Sequence, residues 1–298
     1  MNKLVSVIIP THSGYDTIVK TIESVLSQTY TNLEIIICDD NGENTQNQLL
    51  TQKAIEPLMT KDRRIKYIVS KENKNGSSAR NIAMKASSGE YISFLDDDDE
   101  YMPECVQKEI EAFEKLNDEY GIVFVSFLQT SDNRKDVIFT SDFKGDILQD
   151  FLLGKIESPS SIISIRRDVI KEVGFWDESF FRHQDWEYII RILDKYKAYG
   201  ITDVLVKRKI VLRHNAKKPD LYEKNRLHFI NKMKVYIEKQ PKEIAKRIYD
   251  RHYYEIGKEY FKARHFLKSI AYAFKTKNPL LSMIKYFSDG INYLKKLT

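Results

Sequence analysis

Gly89-Glu90-Tyr91-Ile92-Ser93-Phe94-Leu95-Asp96-Asp97-Asp98-Asp99-Glu100 decides the reading of this chain. Tyr91, Ile92, Phe94 and Leu95 make a short apolar run of strand type, and it leads directly into four consecutive aspartates. Four adjacent like charges repel, so a divalent cation among them would account for the cluster. In a sheet of parallel strands, ligands bind beyond the carboxyl ends of the strands, where this cluster would sit. The plainer alternative is a solvated acidic turn ahead of a helix at Pro103, with Asp99 or Glu100 favouring that helix's N-terminus. A calcium-binding EF-hand loop does not fit, because its sixth position needs Gly and here holds Tyr101.

Upstream, the chain alternates between the two periods. Residues 4–9 read as a strand ending at Pro10-Thr11-His12-Ser13-Gly14, which has turn chemistry. A helix carrying Ile18, Ile22, Val25 and Leu26 on one face follows. Residues 33–38 form a nearly continuous apolar strand, the pattern of a strand covered on both faces, and it too ends in acid, at Asp39-Asp40-Asn41-Gly42. A helical stretch at about 44–60 and a strand at 65–69 come next. The polar loop Lys74-Asn75-Gly76-Ser77-Ser78 then opens a helix through Ala79, Arg80, Ile82, Ala83 and Ala86. This alternation predicts a doubly wound α/β half, and the absence of G-x-G-x-x-G after the first strand argues against a dinucleotide site. Asp39-Asp40 and Asp96 to Asp99 should share one sheet edge. Asp-Asp-Asn-Gly alone is simply a good turn, but a nucleotide site explains both ends together. Carboxylates can accept from a base N–H and from ribose hydroxyls, and another can hold the metal on a diphosphate.

Composition bounds the rest. With 298 residues, 42% hydrophobic and 31% charged, the chain suits a globular protein with one large domain or one plus an appendage. Two cysteines, Cys38 and Cys105, point to a reducing compartment rather than a disulfide framework. No stretch approaches the roughly 18 apolar residues of a membrane span, and the N-terminus reads as a strand rather than a signal peptide, so a cytoplasmic location is expected. The net charge of +5 divides unevenly: residues 217–298 hold 20 basic and 8 acidic residues, a net of +12, against 28 basic and 35 acidic before them, a net of −7. This predicts two modules, residues 1–216 and residues 217–298.

Ser6-Val7-Ile8-Ile9-Pro10-Thr11, Ser27-Gln28-Thr29-Tyr30, Glu34 to Asp40, Ala79-Arg80-Asn81 and Gly89 to Asp99 together resemble the bacterial inverting glycosyltransferases of family 2, over roughly residues 4–215. The resemblance implies the A-type glycosyltransferase fold, a Rossmann-like mixed α/β sheet flanked by helices, here with a helical C-terminal extension. It implies that Pro10 and Thr11 contact the nucleotide of a UDP-sugar, that Asp40 with Asp39 beside it holds the uracil, and that Asn75 and Arg80 flank the base. Asp96-Asp97-Asp98 occupies the D-x-D position, with Asp96 near the ribose and Asp98 as ligand to Mn²⁺ or Mg²⁺. Such a cation neutralises charge developing on the diphosphate leaving group. His214 resembles a late histidine that completes the metal and diphosphate site, although a lone His after a strand is usually a packed or surface residue.

The second half should supply the acceptor side. Residues 121–128, 137–140 and 158–165 read as strands, with a helix from about Arg167. The family usually carries Glu-Asp where this chain has Gln184-Asp185, so the resemblance makes Asp185 the catalytic base that deprotonates a glycan acceptor, lipid-linked acceptors included. On its own, Asp185 is equally an acid opening the helix whose apolar stripe is Trp186, Ile189, Ile190 and Leu193. Other departures are Pro10-Thr11-His12-Ser13 for Pro-Thr-x-Asn, and Asp39-Asp40-Asn41-Gly42-Glu43-Asn44 for Asp-Asp-Gly-Ser-x-Asp.

The tail is helical in pattern, and Tyr254 to Pro279 faintly resembles one tetratricopeptide-like hairpin, too little for a solenoid. It is expected to pack on the catalytic part or on another subunit of a homo-oligomer. From Lys262 onward there are eight basic residues and one acidic residue, Asp289, interleaved with aromatics. That composition suits peripheral contact with an anionic membrane at the inner face of the cell envelope, and equally a solvated basic face. No nucleic-acid recognition motif accompanies the charge. Two rival readings are a sugar-nucleotide pyrophosphorylase, which should carry an N-terminal glycine-rich phosphate loop absent here, and a non-catalytic nucleotide-sugar-binding protein, which would not need every acid present.

Overall fold

The computed structural model describes residues 3–131, 134–210 and 218–294. Its first half alternates as the pattern predicts: β1 (Val5–Thr11), α1 (Ile18–Leu26), β2 (Leu33–Asp39), α2 (Gln46–Lys61), β3 (Ile65–Val69), α3 (Gly76–Ala86) and β4 (Tyr91–Phe94). These strands pair in parallel in the order β3-β2-β1-β4. All seven residues of β1 and all seven of β2 are buried, as strands covered on both faces must be. The chain continues through β5 (Asp99–Tyr101), α4 (Cys105–Lys115), β6 (Tyr120–Ser131), β7 (Arg134–Phe139), β8 (Lys144–Gly145), α5 (Leu148–Leu152), β9 (Ile163–Arg166), α6 (Arg167–Val173), α7 (Gln184–Leu193) and β10 (Lys197–Lys209). The sheet extends from β4 through β9, β6 and β10 to β5, with β7 on β6 and β8 on β10. β9 runs antiparallel to both β4 and β6, so the sheet is mixed.

Two expectations change on the far side of the aspartates. Asp99 and Glu100 do not open a helix: Asp99–Tyr101 is a strand paired antiparallel with β10, and α4 begins at Cys105. The serine-rich stretch read as a strand over 158–165 instead makes a single 3-10 turn at Ser160–Ile162 before β9. The reason is polar. Ser160 and Ser161 turn their hydroxyls onto Asp96 and Asp99, an arrangement that an extended strand would not give both.

The base of the parallel sheet is tied by one buried acid. Glu34 of β2 accepts from the Ser6 hydroxyl at 2.7 Å, from the Ser88 amide at 2.6 Å and from Lys66 Nζ at 2.6 Å, thereby joining β1, β2, β3 and the turn into β4. A Cβ on Gly89 would lie 2.6 Å from the Ser6 amide nitrogen and 2.8 Å from the Leu4 carbonyl oxygen, so only glycine lets that turn approach β1.

The chain divides into two compact units, Met1–Ile147 with Ile156–Leu212, and Leu148–Lys155 with Arg213–Thr298. The second unit contains α5 and four further helices, α8 (Pro219–Glu238), α9 (Lys242–Lys262), α10 (Phe266–Ala273) and α11 (Pro279–Leu294). Its core is aromatic: Ile256, Tyr260 and Tyr272 are buried against Tyr222, Leu227 and Tyr253. Gly257 allows α11 to approach α9, since a Cβ there would fall 2.1 Å from the Tyr286 hydroxyl. No helix among the described residues is long and apolar enough to cross a membrane.

Burial alone would raise the Glu34 carboxyl, but Lys66 and the donors on Ser88 and Ser6 outweigh it and hold the group down at about 2, against an ordinary 4.5. Its folded value is the lower one. Its contribution is therefore complete above about pH 4.5 and fades as pH falls toward 2. Glu34→Gln should lower the unfolding free energy by a few kcal/mol at neutral pH. In urea titrations across pH, the difference from wild type should shrink steadily below pH 4.5. A pH-independent difference would show that Glu34 acts by shape alone.

Candidate active site

At the carboxyl edge of the parallel strands lies a cleft of ≈ 230 Å³ lined by Pro10, Thr11 and His12 from the end of β1, Asp40 from the end of β2, Gly76, Ala79 and Arg80 from α3, and Asp96, Asp97 and Asp98 after β4. Parallel pairing sets Thr11 opposite Asp39, which brings the strand ends together. Of the residues expected at the site, Pro10, Thr11, Asp40, Arg80, Asp96, Asp97 and Asp98 meet here.

The four aspartates separate into different tasks. Asp96 receives Arg80 Nη2 at 2.5 Å and the Ser160 hydroxyl at 2.9 Å. Burial opposes its charge, but the guanidinium groups of Arg80 and Arg208 hold it below the usual carboxylate range. Asp97 turns back to β1, accepting from Thr11 Oγ1 at 2.5 Å and from the His12 amide at 3.2 Å. Gly14 makes room for it: a Cβ there would lie 2.0 Å from Asp97 Oδ2. Asp98 is the exposed member of the four. Asp99 is buried, bound by the Ser161 hydroxyl at 2.5 Å and by Arg208 Nε at 3.1 Å. Asp99 therefore serves as an anchor between β5 and β10.

Asp39 and Asp40 also part company. The Asp39 carboxylate is buried and receives the Asn41 amide at 2.9 Å and the Tyr67 hydroxyl at 2.6 Å, and it does not line the cleft. It shapes the turn instead. Asp40 faces the cleft and accepts from the Lys74 amide at 3.1 Å. Burial, and secondarily Asp39, raises its proton affinity against that donor.

Asn75 caps α3, accepting from the Ser78 amide at 3.0 Å while donating to the Glu178 carbonyl at 2.8 Å, and it too is outside the cleft lining. Arg80 lines the cleft, but its guanidinium is engaged by protein: besides Asp96 it donates to Ser160 at 3.0 Å and to Gln184 Oε1 at 3.2 Å, and it lies 4.8 Å over the Trp176 ring. Gln184 opens α7, directly before Asp185. The preceding His183 holds a left-handed backbone, φ 62°, at this helix start. Asp185 accepts from the Trp186 amide at 2.9 Å, and burial, with a further contribution from Asp96, pushes it up to about 6. Asp185 does not line the cleft itself but sits one residue from the Arg80–Gln184 bond.

His214 lies outside the described residues. Among the described residues, no group of three or more His, Cys, Asp and Glu side chains forms a ready-made metal cage. The donor set nonetheless suits a hard cation. Asp96 to Asp99 face Arg80 and Arg208, so negative charge is in excess. Burial together with the neighbouring carboxylates pushes Asp97 and Asp99 up to about 7 each. Oxygen donors short of positive charge match Mg²⁺ or Mn²⁺. Arg208, Ser160 and Ser161 are not singled out from sequence: residues 158–161 read as part of a strand, and the basic run Lys207-Arg208-Lys209 is given no element.

Residues 6–174, more than half of the chain, match the model of the family described as glycosyl transferase family 2. A curated relative from Escherichia coli, UDP-Glc:alpha-D-GlcNAc-diphosphoundecaprenol beta-1,3-glucosyltransferase WfaP, is 31% identical over 197 residues, covering 65% of this chain and 71% of that one. The chain spans 31% of the length of one curated relative and 79% of another. Among solved structures, S. aureus TarS 1-349 in complex with UDP-GlcNAc is 15% identical, with a TM-score of 0.60 over 98% of this chain and 92% of that one. The mannosyltransferase PcManGT from Pyrobaculum calidifontis, in complex with GDP-Man and Mn²⁺, is 13% identical, with a TM-score of 0.62 over 97% and 80%. The strand order and the shared architecture are those of the A-type glycosyltransferase fold, and the chain belongs to glycosyl transferase family 2 as a glycosyltransferase enzyme.

Proposed function

We propose that this enzyme transfers a sugar from a UDP-sugar to an acceptor hydroxyl in the making of a bacterial surface glycan, by a single displacement that inverts the anomeric carbon. The observation that carries the reading is the pooling of Thr11, Asp40 and Asp96 to Asp98 in one cleft at the ends of three parallel strands. Asp40 is suited to accept from the base, and Asp96, fixed by Arg80 and Ser160, to accept from ribose hydroxyls. Asp98, with Asp97 beside it, would hold Mn²⁺ or Mg²⁺, which when bound neutralises charge on the departing diphosphate. His214 would join that set by the family resemblance. Relatives support the finer points: WfaP is named for a UDP-glucose donor and a diphosphoundecaprenol-linked acceptor, and PcManGT was solved with Mn²⁺. A lipid-diphosphate-linked acceptor is therefore proposed here as well.

Asp185 is the proposed base. A carboxylate whose proton affinity lies near 6 is ionised at neutral pH yet basic enough to take a hydroxyl proton as the bond to the anomeric carbon forms. The proton moves from the acceptor oxygen to a carboxylate oxygen of Asp185, and the nucleoside diphosphate leaves from the opposite face.

The primary experiment is incubation of the pure protein with a panel of UDP-sugars and Mn²⁺, following slow UDP release. This names the donor. Pyrophosphate-dependent formation of a UTP would favour a pyrophosphorylase, and donor binding without turnover a passive binder. Asp185→Asn should fold normally and reduce transfer to acceptor by about 10²–10⁴-fold. In the wild type, kcat/KM should fall as pH drops through about 6, where Asp185 becomes protonated. Wild-type rates in Asp185→Asn would remove Asp185 from the chemistry. Calorimetric titration of UDP should give tighter binding with Mn²⁺ than without. Asp98→Ala should abolish that gain, whereas equal affinity in both conditions would exclude a metal bridge at Asp98.

A further inference from the structure

The second unit carries an apolar surface none of whose residues lines the cleft. On α10, Phe266, Leu267 and Ile270, continued by Phe274, are exposed, Leu267 to 86% and Phe274 to 68%. At 3.6 residues per turn these positions fall within an arc of about 100°. The opposite face of α10, Ser269 and Tyr272, is buried in the unit's own core. α11 repeats the arrangement: Leu280, Leu281, Ile284 and Phe287 are exposed, while Ser282 and Tyr286 point inward. The strips are continuous. Phe261 at the end of α9 touches the Phe266 ring at 5.4 Å and the Phe287 ring at 4.9 Å, bridging one helix to the other. Single exposed leucines need no explanation, but eight large apolar side chains on two adjoining helices form a patch of the kind that marks an interaction surface.

The exposed charged residues on α10, between it and α11, and within the α11 strip are basic. Arg264 and Lys275 bracket the α10 strip, and Lys277 and Lys285 stand before and within the α11 strip, all exposed. The acid on these two helices, Asp289, accepts from the Tyr254 hydroxyl at 2.9 Å. Lys268 and Lys277 also reach Asp220 and Glu243 of α8 and α9, so part of the positive charge is internally balanced. Lys275 lies 4.2 Å over the Tyr272 ring, and Arg264 and Lys285 stand exposed beside the apolar strips.

We infer that the exposed face of α10 and α11 docks on an anionic lipid surface, with the Phe and Leu side chains entering the headgroup–acyl boundary and the Arg and Lys groups resting among lipid phosphates. Apolar strips framed by long basic side chains are the chemistry of interfacial helices, whose stems lie along the apolar layer while the charges stay in the polar one. Two short helices lying in the interface plane need no span, in keeping with the absence of a crossing helix among the described residues. A second copy of the chain fits less well. A two-fold contact through this face would bring Arg264 and Lys285 of both copies together, with no exposed acid among the described residues of α10 or of the α11 strip to meet them. The inference goes beyond the proposed reaction and holds whichever donor or acceptor is used.

The test is co-sedimentation of the full chain with phosphatidylcholine vesicles, with and without phosphatidylglycerol, together with the variant Leu267→Ser/Leu280→Ser. These are two of the most exposed side chains of the patch, so circular dichroism and thermal unfolding should be unchanged. The wild type should bind phosphatidylglycerol-containing vesicles strongly at low salt and weakly in 0.5 M NaCl, and pure phosphatidylcholine poorly at any salt. The double variant should bind about a hundredfold more weakly. Absence of binding to anionic vesicles at low salt, or equal binding by the variant, overturns the inference. So does light scattering that finds a wild-type dimer which Leu267→Ser/Leu280→Ser dissociates, because the face would then be a subunit interface. UDP release in solution should be the same for both proteins, so a failed donor reading and a failed docking surface are told apart.

Discussion

An excess of negative charge at one sheet edge governs this molecule. Asp40 and Asp96 to Asp99 converge where the parallel strands end, and Arg80 and Arg208 stand against them. Carboxylates this close cannot all ionise without countercharge. The fold meets the constraint by dividing them. Asp96 takes Arg80, Asp99 takes Arg208, Asp97 takes neutral donors from the end of β1, and Asp98 faces solvent. Asp97, pushed up to about 7 by burial and by its carboxylate neighbours, and the exposed Asp98 both line the cleft.

This division also explains elements that have no hydrophobic reason to be as they are. The 3-10 turn at Ser160–Ile162 delivers two neighbouring hydroxyls to two different aspartates. The short strand β5 gives Asp99 a fixed position opposite Arg208 in the antiparallel register. Gly14 lacks a side chain because the Asp97 carboxylate occupies that space. Each is a local conformation selected by electrostatics across long sequence separations.

The parallel half was legible because its signals are local. Continuous apolar runs at 33–38 and 91–95, alternating with helical periodicity, specify β2 and β4, and parallel pairing then fixes where their acidic ends must lie. Which acid does what was not legible, because partners decide it. Asp39 and Asp40 are adjacent in sequence, yet Tyr67 on β3 and Asn41 hold one inward while the other faces the cleft. Arg208 sits 109 positions from Asp99, inside a basic strand with no pattern that names its partner. The grouping of Leu148–Lys155 with the C-terminal helices was equally silent, since its basis is tertiary: the guanidinium of Arg251 occupies the space a Cβ on Gly154 would need.

Gln184, ahead of Asp185, suits the same charge arithmetic. Arg80 is one cation with two claims on it, Asp96 at 2.5 Å and residue 184 at 3.2 Å. A neutral amide at 184 accepts a hydrogen bond without competing for the charge, so the full electrostatic effect of Arg80 stays on Asp96 and keeps that carboxylate ionised. A carboxylate at 184 would draw on Arg80 and add a negative neighbour to Asp185. That would raise the Asp185 carboxyl further above the ordinary carboxylate range. Gln184 thus lets one guanidinium fix Asp96 and the start of α7 together, while burial, with Asp96 adding to it, raises the Asp185 carboxyl.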